Sequence, residues 1–484
     1  MTSLAHSAAR GAFFTFAAQA AKILLQLASV VVLSRLLSPH DYGLLAIVLV
    51  VVGLGEIFRD FGLTSASIQA TELSRGQRDN LFWINAAIGA ALTVLLFLLA
   101  EPLAQLTSEP DLVGMTHWLS PLFLLNGLAT QHRATLMRSL KFRALAIIDV
   151  TAAASALGAA IFAAILGADY WALVIQQLTS GGVVLVGAIL ADRWLPRWYS
   201  RHERVRNLVT FGWNIVATNL LVYAGSQIDT VILGLRYGTT SLGLYNRAFQ
   251  LVMTPLGQVR APMKGVALPV LSRVQQDPPR FDLYVSSAQL ALGYVLGIPL
   301  ALVAALSDPV VHIMLGAQWA DAAPIISLFA TAGLLTTLSF VGYWVYLARG
   351  LGRQLFVYTI VTTCIKIGCI AAGSMFGVLG VAIGFTVAPA IAWPLSLFWL
   401  SRITPLPTAQ LYAGATRVLT VTGTTAVSAW GTTLVTLPLG AVPTLAIGVL
   451  TGLLVASAFL LVPLFRNDAL KLTDFARLMI RREG

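Results

Sequence analysis

Fourteen apolar stretches follow one another along the chain, separated by short polar gaps. A bilayer core about 30 Å thick needs roughly 20 apolar residues for each helix that crosses it. Because backbone amides cannot stay unpaired in lipid, continuous apolar runs predict membrane-spanning helices, whereas a barrel would need short alternating strands. The predicted segments are 11–34, 42–68, 80–100, 112–132, 144–166, 170–191, 207–233, 241–268, 283–306, 323–348, 354–376, 379–400, 410–437 and 441–465.

The composition excludes a soluble protein. Hydrophobic residues make up 57% of the chain and charged residues only 11%, whereas soluble domains carry about 25% charged residues. The net charge of +11 does not indicate nucleic acid, because the basic residues are spread through short loops instead of forming one patch. Cys364 and Cys369 lie five residues apart in one apolar segment, so they point to different helix faces and are predicted not to pair.

The basic residues fall in every second gap between the segments. With the N-terminus on the cytoplasmic side, only Arg35 and Arg236 lie in outer gaps and six basic residues lie well within segments, while Arg417, near the cytoplasmic end of segment 410–437, is counted with the inner side. The rest of the 31 Lys and Arg lie in inner gaps or at the tail. This bias is the positive-inside pattern of membrane proteins. We therefore predict a multi-pass protein of the cell (inner) membrane with both termini in the cytoplasm.

The longest inner connection, residues 192–206, reads DRWLPRWYSRHERVR and follows the sixth segment. Its aromatic and basic residues suit the membrane interface. Local patterns recur about 200 to 210 residues later, as in Gly43-Leu44 and Gly243-Leu244, although chance matches between glycines are an alternative. Halves of six helices each would form a parallel repeat, a common transporter plan. We predict an N-terminal lobe at 1–195, a C-terminal lobe at 196–402, and two extra helices with a basic tail at 403–484.

Several stretches resemble one family of transporters. The most specific is IDTVILGLRYGTTSLGLYNRAFQLVMTPLGQV at 228–259, continued by ALPVLSRVQQDPPRF at 267–281. FRDFGLTSASIQATELSRGQRDNLFWIN at 58–85 is similar to the family's second and third helices, and LKFRALAIIDV and GADYWALV within 140–174 to its fifth and sixth. These stretches resemble oligosaccharide flippases of the polysaccharide transporter family, within the multidrug/oligosaccharidyl-lipid/polysaccharide (MOP) exporter superfamily. The similar subgroup exports colanic acid, teichuronic acid and related polysaccharides.

The resemblance covers roughly residues 30–400 and implies both a fold and a cargo. The implied fold is all-α and MATE-like, with two six-helix lobes around a central cavity that opens to each side in turn. The implied cargo is an oligosaccharide linked to polyprenyl diphosphate, carried from the cytoplasmic to the outer leaflet for exopolysaccharide or surface polysaccharide synthesis. Beside this lipid-linked oligosaccharide, the expected partners are membrane lipids, a polysaccharide polymerase and other assembly proteins.

Basic residues inside the apolar segments are the candidate binding residues. An ionisable group at bilayer depth costs several kcal/mol by most estimates, so it usually faces a cavity or a partner. A diphosphate needs strong hydrogen-bond donors, which Lys and Arg supply as charge-assisted bonds. Arg260 and Lys264 are four residues apart and share one helix face. We predict a cationic cavity, with residues from both lobes, formed by Lys22, Arg59, Arg247, Arg260, Lys264 and Lys366.

Four acidic residues lie at the same depth: Glu56, Asp60, Asp149 and Asp229. One interpretation is local pairing, of Arg59 with the acids of its own helix and of Asp229 with Arg236 or Arg247. The other interpretation is binding of a coupling ion, either a proton or sodium. The candidates for ion coupling are Asp229, Asp149 and Glu56.

A cation antiporter and an enzyme are the two alternatives to a flippase. A multidrug or metabolite cation antiporter of the same superfamily is the alternative, although bases outnumber acids six to four within the segments. An enzyme is not expected, because outer gaps are short and the chain has no D-x-D motif and no G-x-x-x-x-G-K-[ST] nucleotide loop. The histidines lack metal-ligand spacing. We therefore expect no catalytic residues, metal, cofactor or nucleic acid.

Overall fold

The computed structural model describes residues 2–60, 74–199 and 206–480, and this part of the chain forms helices, short turns and loops with no strand. The predicted all-α fold is therefore confirmed. Backbone contacts divide the chain into two compact units, Met1–Asn246 and Arg247–Gly484. The lobe boundaries at 195 and 402 stay a prediction.

The helices of the first unit follow the apolar runs, with short connections between them. The last of them, α10, begins in the first unit and continues into the second. The bounds are α1 Thr2–Leu36, α2 Pro39–Asp60, α3 Arg75–Leu98, α4 Ala100–Thr107, α5 Asp111–Leu119, α6 Leu122–Arg138, α7 Phe142–Ile165, α8 Trp171–Asp192, α9 Arg206–Arg236 and α10 Gly238–Val274.

The second unit is built in the same way, with single 3-10 turns at four helix ends. These turns are Ala317–Ala322, Ser374–Phe376, Leu437–Leu439 and Phe459–Leu461. The helices are α11 Pro278–Ala305, α12 Ser307–Met314, α13 Ala323–Ala348, α14 Gly352–Gly373, α15 Gly377–Ile403, α16 Thr408–Thr436, α17 Ala441–Ala458 and α18 Pro463–Ile480.

Ten stretches of the described residues are long and apolar enough to span a membrane, and one of them, Gly352–Ile403, contains both α14 and α15. Their outer surfaces are apolar, as lipid requires: Leu454 on α17, for example, is 70% exposed. Each of the fourteen predicted segments overlaps a helix. The number of membrane crossings itself stays a prediction.

Small residues let these helices pack closely. Ala152, Ala156, Ala160 and Ala163 form a buried stripe on α7, which packs against α1 and α8. Helices in lipid gain little from the hydrophobic effect, so close approach of backbones at small residues provides much of their attraction. In the second unit the corresponding core lies around Phe281, Trp344 and Leu400.

At two prolines the observed helices differ from the predicted segments. The predicted segment 112–132 is two helices, because α5 ends at Leu119 and α6 begins at Leu122. Pro121 has no backbone N–H to continue the ladder, and the Ser120 hydroxyl donates to the carbonyl oxygen of His117 instead. By contrast, α10 runs unbroken through Pro255 and Pro269.

Gly43 and Gly243, the matching glycines of the predicted repeat, lie where two helices of the first unit cross. Gly43 on α2 lies against α10, and Gly243 on α10 lies against α2. A Cβ on Gly43 would lie 1.8 Å from the carbonyl oxygen of Thr239, and a Cβ on Gly243 would lie 1.8 Å from that of Pro39. The first turns of α2 and α10 therefore cross with their backbones in contact. His40 Nδ1 lies 2.7 Å from the Thr239 hydroxyl, which donates to Glu109 at 2.7 Å.

Candidate functional site

Lys22 lies beside a carboxylate of its own unit. Its Nζ is 3.4 Å from Asp149 Oδ2, and Arg133 Nη1 donates to Asp149 Oδ1 at 2.7 Å. These three residues come from α1, α7 and α6, and all are partly exposed. Two cations share one carboxylate, so the cluster carries one net positive charge. The sequence analysis counts Arg133 among the residues of a cytoplasmic gap and does not predict this contact. The one sequence signal for it is the short separation of 16 residues between Arg133 and Asp149, on either side of the α6–α7 turn.

Arg59 is paired locally, as one of the two interpretations had it. Its Nε donates to Glu56 Oε2 at 2.6 Å, and its Nη1 contacts the hydroxyl of Thr130. Asn126 Nδ2 donates to the other oxygen of Glu56 at 2.9 Å. Both Glu56 oxygens are therefore occupied, which disfavours this residue as an ion-binding group. The side chain of Asp60 lies outside the described residues.

Asp229 is a buried carboxylate with neutral partners. It is 2% exposed, and its oxygens accept from the Tyr245 hydroxyl at 2.8 Å and from the Thr230 amide at 3.0 Å. No Lys or Arg in the described ranges lies within 4 Å of it. The pairing with Arg236 or Arg247, one of the two interpretations, is thus not observed. The partner that sequence reasoning missed is Tyr245, 16 residues after Asp229.

Arg247 and Lys366 lie near aromatic or amide groups of the second unit. Arg247 is 3% exposed and donates from Nη1 to the side-chain oxygen of Gln250 at 2.9 Å. Lys366 Nζ lies 4.9 Å from the ring centre of Phe385, which packs edge-on against Phe249 and Phe329. Ammonium groups are attracted to the face of an aromatic ring, so this contact stabilises Lys366 inside the membrane.

The partners of Arg260 among the described residues are neutral. On α10, it donates from Nη2 to the carbonyl oxygen of Gly333 at 3.0 Å and to the Thr337 hydroxyl at 2.9 Å, both on α13. Its guanidinium also lies 5.8 Å from the ring centre of Phe340. Its Nε is buried and donates to no atom of the described residues. The side chain of Lys264, the expected neighbour on this face, lies outside the described residues.

The predicted binding residues of the first unit have different surroundings from those of the second. In the first unit, Glu56 offsets the charge of Arg59, whereas Lys22 shares Asp149 with Arg133, so one positive charge of that cluster is left over. In the second, no acid of the described residues lies within 4 Å of the Arg260 guanidinium. A cation in apolar surroundings without a counter-charge, and with a buried donor left over, favours an anionic ligand. Arg260 is thus best suited to bind phosphate.

One further ion-pair cluster, centred on Asp192, was not anticipated from the sequence. Arg78 and His132 Nδ1 both contact the buried carboxylate of Asp192, and the Arg78 guanidinium lies 3.7 Å from the ring centre of Trp194. The members of this cluster are up to 114 residues apart, and no local spacing connects them. No group of three or more His, Cys, Asp or Glu that could hold a metal occurs among the described residues.

Comparison with known proteins gives a consistent picture. A family model described as polysaccharide biosynthesis protein matches residues 32–324. The lipopolysaccharide biosynthesis protein WzxC of Escherichia coli K12 is 25% identical over 403 residues, covering 82% of this chain and 81% of its own. The succinoglycan biosynthesis transport protein ExoT of Rhizobium meliloti is 27% identical over 357 residues, covering 73% and 72%. The teichuronic acid biosynthesis protein TuaB of Bacillus subtilis is 25% identical over 431 residues, covering 87% and 88%.

Solved structures share the fold. The lipid II flippase MurJ superposes with a TM-score of 0.70 at 15% identity, covering 93% of this chain and 98% of its own. A multidrug resistance MATE transporter of the MOP superfamily gives 0.62 at 14% identity, covering 81% and 96%. At such identities the likeness shows the fold alone, and the predicted MATE-like fold is confirmed. Because the family model matches more than half of its length, the chain belongs to the polysaccharide biosynthesis protein family.

Proposed function

We propose that this protein is a flippase that carries an oligosaccharide linked to polyprenyl diphosphate from the cytoplasmic to the outer leaflet, for synthesis of an exported polysaccharide. The observation that carries the proposal is the membership in the polysaccharide biosynthesis family, with relatives over most of the chain that include a transport protein. Its membrane-spanning helices and a fold shared with a lipid flippase support a transport role.

Arg260 is the residue on which the phosphate-binding role depends most. The diphosphate of the cargo carries negative charge and only accepts hydrogen bonds, which a guanidinium matches in both respects. The buried Nε of Arg260 is a donor still available to it. Arg247, Lys264 and Lys366 act in the same role in this proposal.

In this proposal the first unit also contributes a positive charge to phosphate binding. Lys22 and Arg133 share Asp149, so one positive charge of this cluster remains for the cargo. Arg59 is tied to Glu56 and contributes less. We place the protein in the cell (inner) membrane with both termini in the cytoplasm, acting together with a polysaccharide polymerase. Asp229, buried and with no Lys or Arg of the described residues within 4 Å, is the group we propose to bind a coupling proton.

Charge removal tests the proposal. Arg260→Ala and Lys22→Ala are expected to abolish export of the polysaccharide while the amount of protein in the membrane stays unchanged. The matched control is Arg280→Ala, because this exposed arginine of the second unit pairs with Asp277 at the surface and its loss should leave export intact. Export is measured as extracellular polysaccharide in a strain that lacks its own flippase. Full export by both single variants contradicts the proposal.

The cation antiporter is disfavoured by the same residue. A cationic drug would be repelled by the Arg260 guanidinium, which has no acid of the described residues within 4 Å, and such a substrate needs a carboxylate instead. Resistance to cationic drugs that rises with expression of the protein, together with unaffected polysaccharide export in its absence, would support the antiporter.

A further inference from the structure

A cavity of about 620 Å³ lies within the second unit, away from the candidate residues for cargo binding. It forms where the first turns of α11 and α16 meet α18, on the side that the charge pattern predicts to be cytoplasmic. Three charged side chains line it, Asp282, Arg417 and Lys471. Such a mixture of both charges distinguishes this cavity from a simple anion site.

One wall of the cavity donates hydrogen bonds. Arg417 is held in place by Asp468, which accepts from its Nε at 2.7 Å and from its Nη2 at 3.1 Å. The Tyr294 hydroxyl donates to the same carboxylate at 3.2 Å. The guanidinium is therefore oriented in advance, and its Nη1 is not used by Asp468. Lys471 is exposed on α18, and no acid of the described residues lies within 4 Å of its ammonium group.

The opposite wall accepts hydrogen bonds. Asp282 and Ser286 lie one turn apart on α11, and both line the cavity. The Ser286 hydroxyl donates to the backbone carbonyl oxygen of Asp282 at 2.7 Å. Because a hydroxyl has one proton, its oxygen then serves only as an acceptor for a ligand. No Lys or Arg within the described ranges is within 4 Å of the Asp282 carboxylate, and Arg349 interacts with it electrostatically from a greater distance.

A ligand that satisfies both walls must carry both an anionic group and a cation that donates hydrogen bonds. We propose that the cavity binds the headgroup of an ethanolamine phospholipid, with its phosphate at Arg417 and Lys471 and its ammonium at Asp282 and Ser286. A headgroup with a phosphate but no ammonium would supply no hydrogen-bond donor to the Asp282 carboxylate. A choline headgroup has no N–H to donate to the acceptor wall.

The surroundings of the cavity suit a lipid better than a soluble phosphate. Leu283, in the cavity lining, is 52% exposed, and Leu470, next to Lys471, is 50% exposed. Apolar side chains beside a polar cavity let acyl chains continue along the protein surface from the bound headgroup. The site is independent of the cargo, and its occupancy would anchor α18 to α11 and α16.

The test measures which lipids the purified protein retains. The full-length protein is reconstituted in nanodiscs with equal parts of ethanolamine, glycerol and choline phospholipids, extracted again, and examined by native mass spectrometry. We expect the ethanolamine lipid to be retained at least tenfold over the other two. Lys471→Gln and Asp282→Asn should each lower this retention about tenfold, whereas Lys471→Arg retains it. Arg466→Gln, an exposed change on the same helix, is the matched control and should change nothing.

Three outcomes overturn the proposal. The first is equal retention of the three lipids by the wild-type protein. The second is unchanged retention in Lys471→Gln and Asp282→Asn. The third is a preference for the glycerol lipid that increases in Asp282→Asn, which would make the cavity a plain anion site. The two variants lie on different helices, so a variant that fails to fold leaves the other to decide. Arg417 is kept intact throughout, because its removal would leave Asp468 buried without a cation.

Discussion

Gly43→Ala tests the crossing of α2 and α10 with a single methyl group. The added Cβ would lie 1.8 Å from the carbonyl oxygen and 2.4 Å from the carbonyl carbon of Thr239, whereas ordinary contacts begin at 3.4 Å. The atoms in the way belong to backbone, so no side-chain rotation can relieve the overlap. The two helices must instead separate by about 1.6 Å at this point, the difference between the two distances.

The expected cost follows from this separation. Overpacking a well-packed core costs about 1–3 kcal/mol even where side chains can adjust, and here they cannot. The separation also breaks the reciprocal contact at Gly243 and lengthens the bond between His40 and Thr239. We therefore expect the upper end of that range, about 3 kcal/mol. For a domain of 150–250 residues this corresponds to a thermal midpoint lower by about 6–12 °C.

The assay is thermal unfolding of the purified protein in detergent, with Gly158→Ala as the matched control. Gly158 also lies within a helix, but a Cβ there would meet nothing within 4 Å. Alanine is the better helix former by about 1 kcal/mol, so Gly158→Ala should leave the midpoint unchanged or raise it slightly. Equal midpoints for Gly43→Ala and Gly158→Ala would show that the backbones do not touch as described.

Three further substitutions test the polar contacts. Arg417→Met leaves the buried carboxylate of Asp468 unpaired and should lower the free energy of unfolding by about 3–5 kcal/mol; the midpoint should recover when Asp468→Leu is added, and lack of recovery argues against the pair. Tyr245→Phe removes the donor to buried Asp229 and should cost about 1–3 kcal/mol, so an unchanged midpoint contradicts that hydrogen bond. Arg260→Lys keeps the charge but loses the forked donors, and we expect export to fall about tenfold at an unchanged protein level; wild-type export would show that charge alone suffices.

The positions of the helices could be predicted because lipid leaves the backbone no alternative. Each apolar run became a helix, and the prediction failed only in detail, at Pro121 and at Pro269. Proline ends a helix when its neighbours supply other hydrogen bonds, as Ser120 does. Around Pro269 the helix continues to Val274, and the sequence has no local feature that distinguishes the two cases.

The partners of the charged residues were harder to predict. Arg78 and Asp192 lie on different helices and 114 residues apart, and charge spacing carries no information about which helix ends come together. The match of Gly43 with Gly243 was a useful signal, since both positions need glycine at the same crossing. The neutral surroundings of Arg260 could not be read from the sequence, because Gly333 and Thr337 are ordinary residues of an apolar helix.

The two thiols of α14 offer a practical route to mapping which loops face which compartment. Cys364 is exposed, Cys369 is half-buried, and neither is bonded, so serine at both positions should give a chemically silent background at little cost. A single reporter can then be placed at the exposed Ser139 or Asp169, on loops at opposite ends of α7. A membrane-impermeant maleimide applied to intact cells should modify Asp169→Cys and spare Ser139→Cys, and the reverse labelling would invert the whole chain in the bilayer.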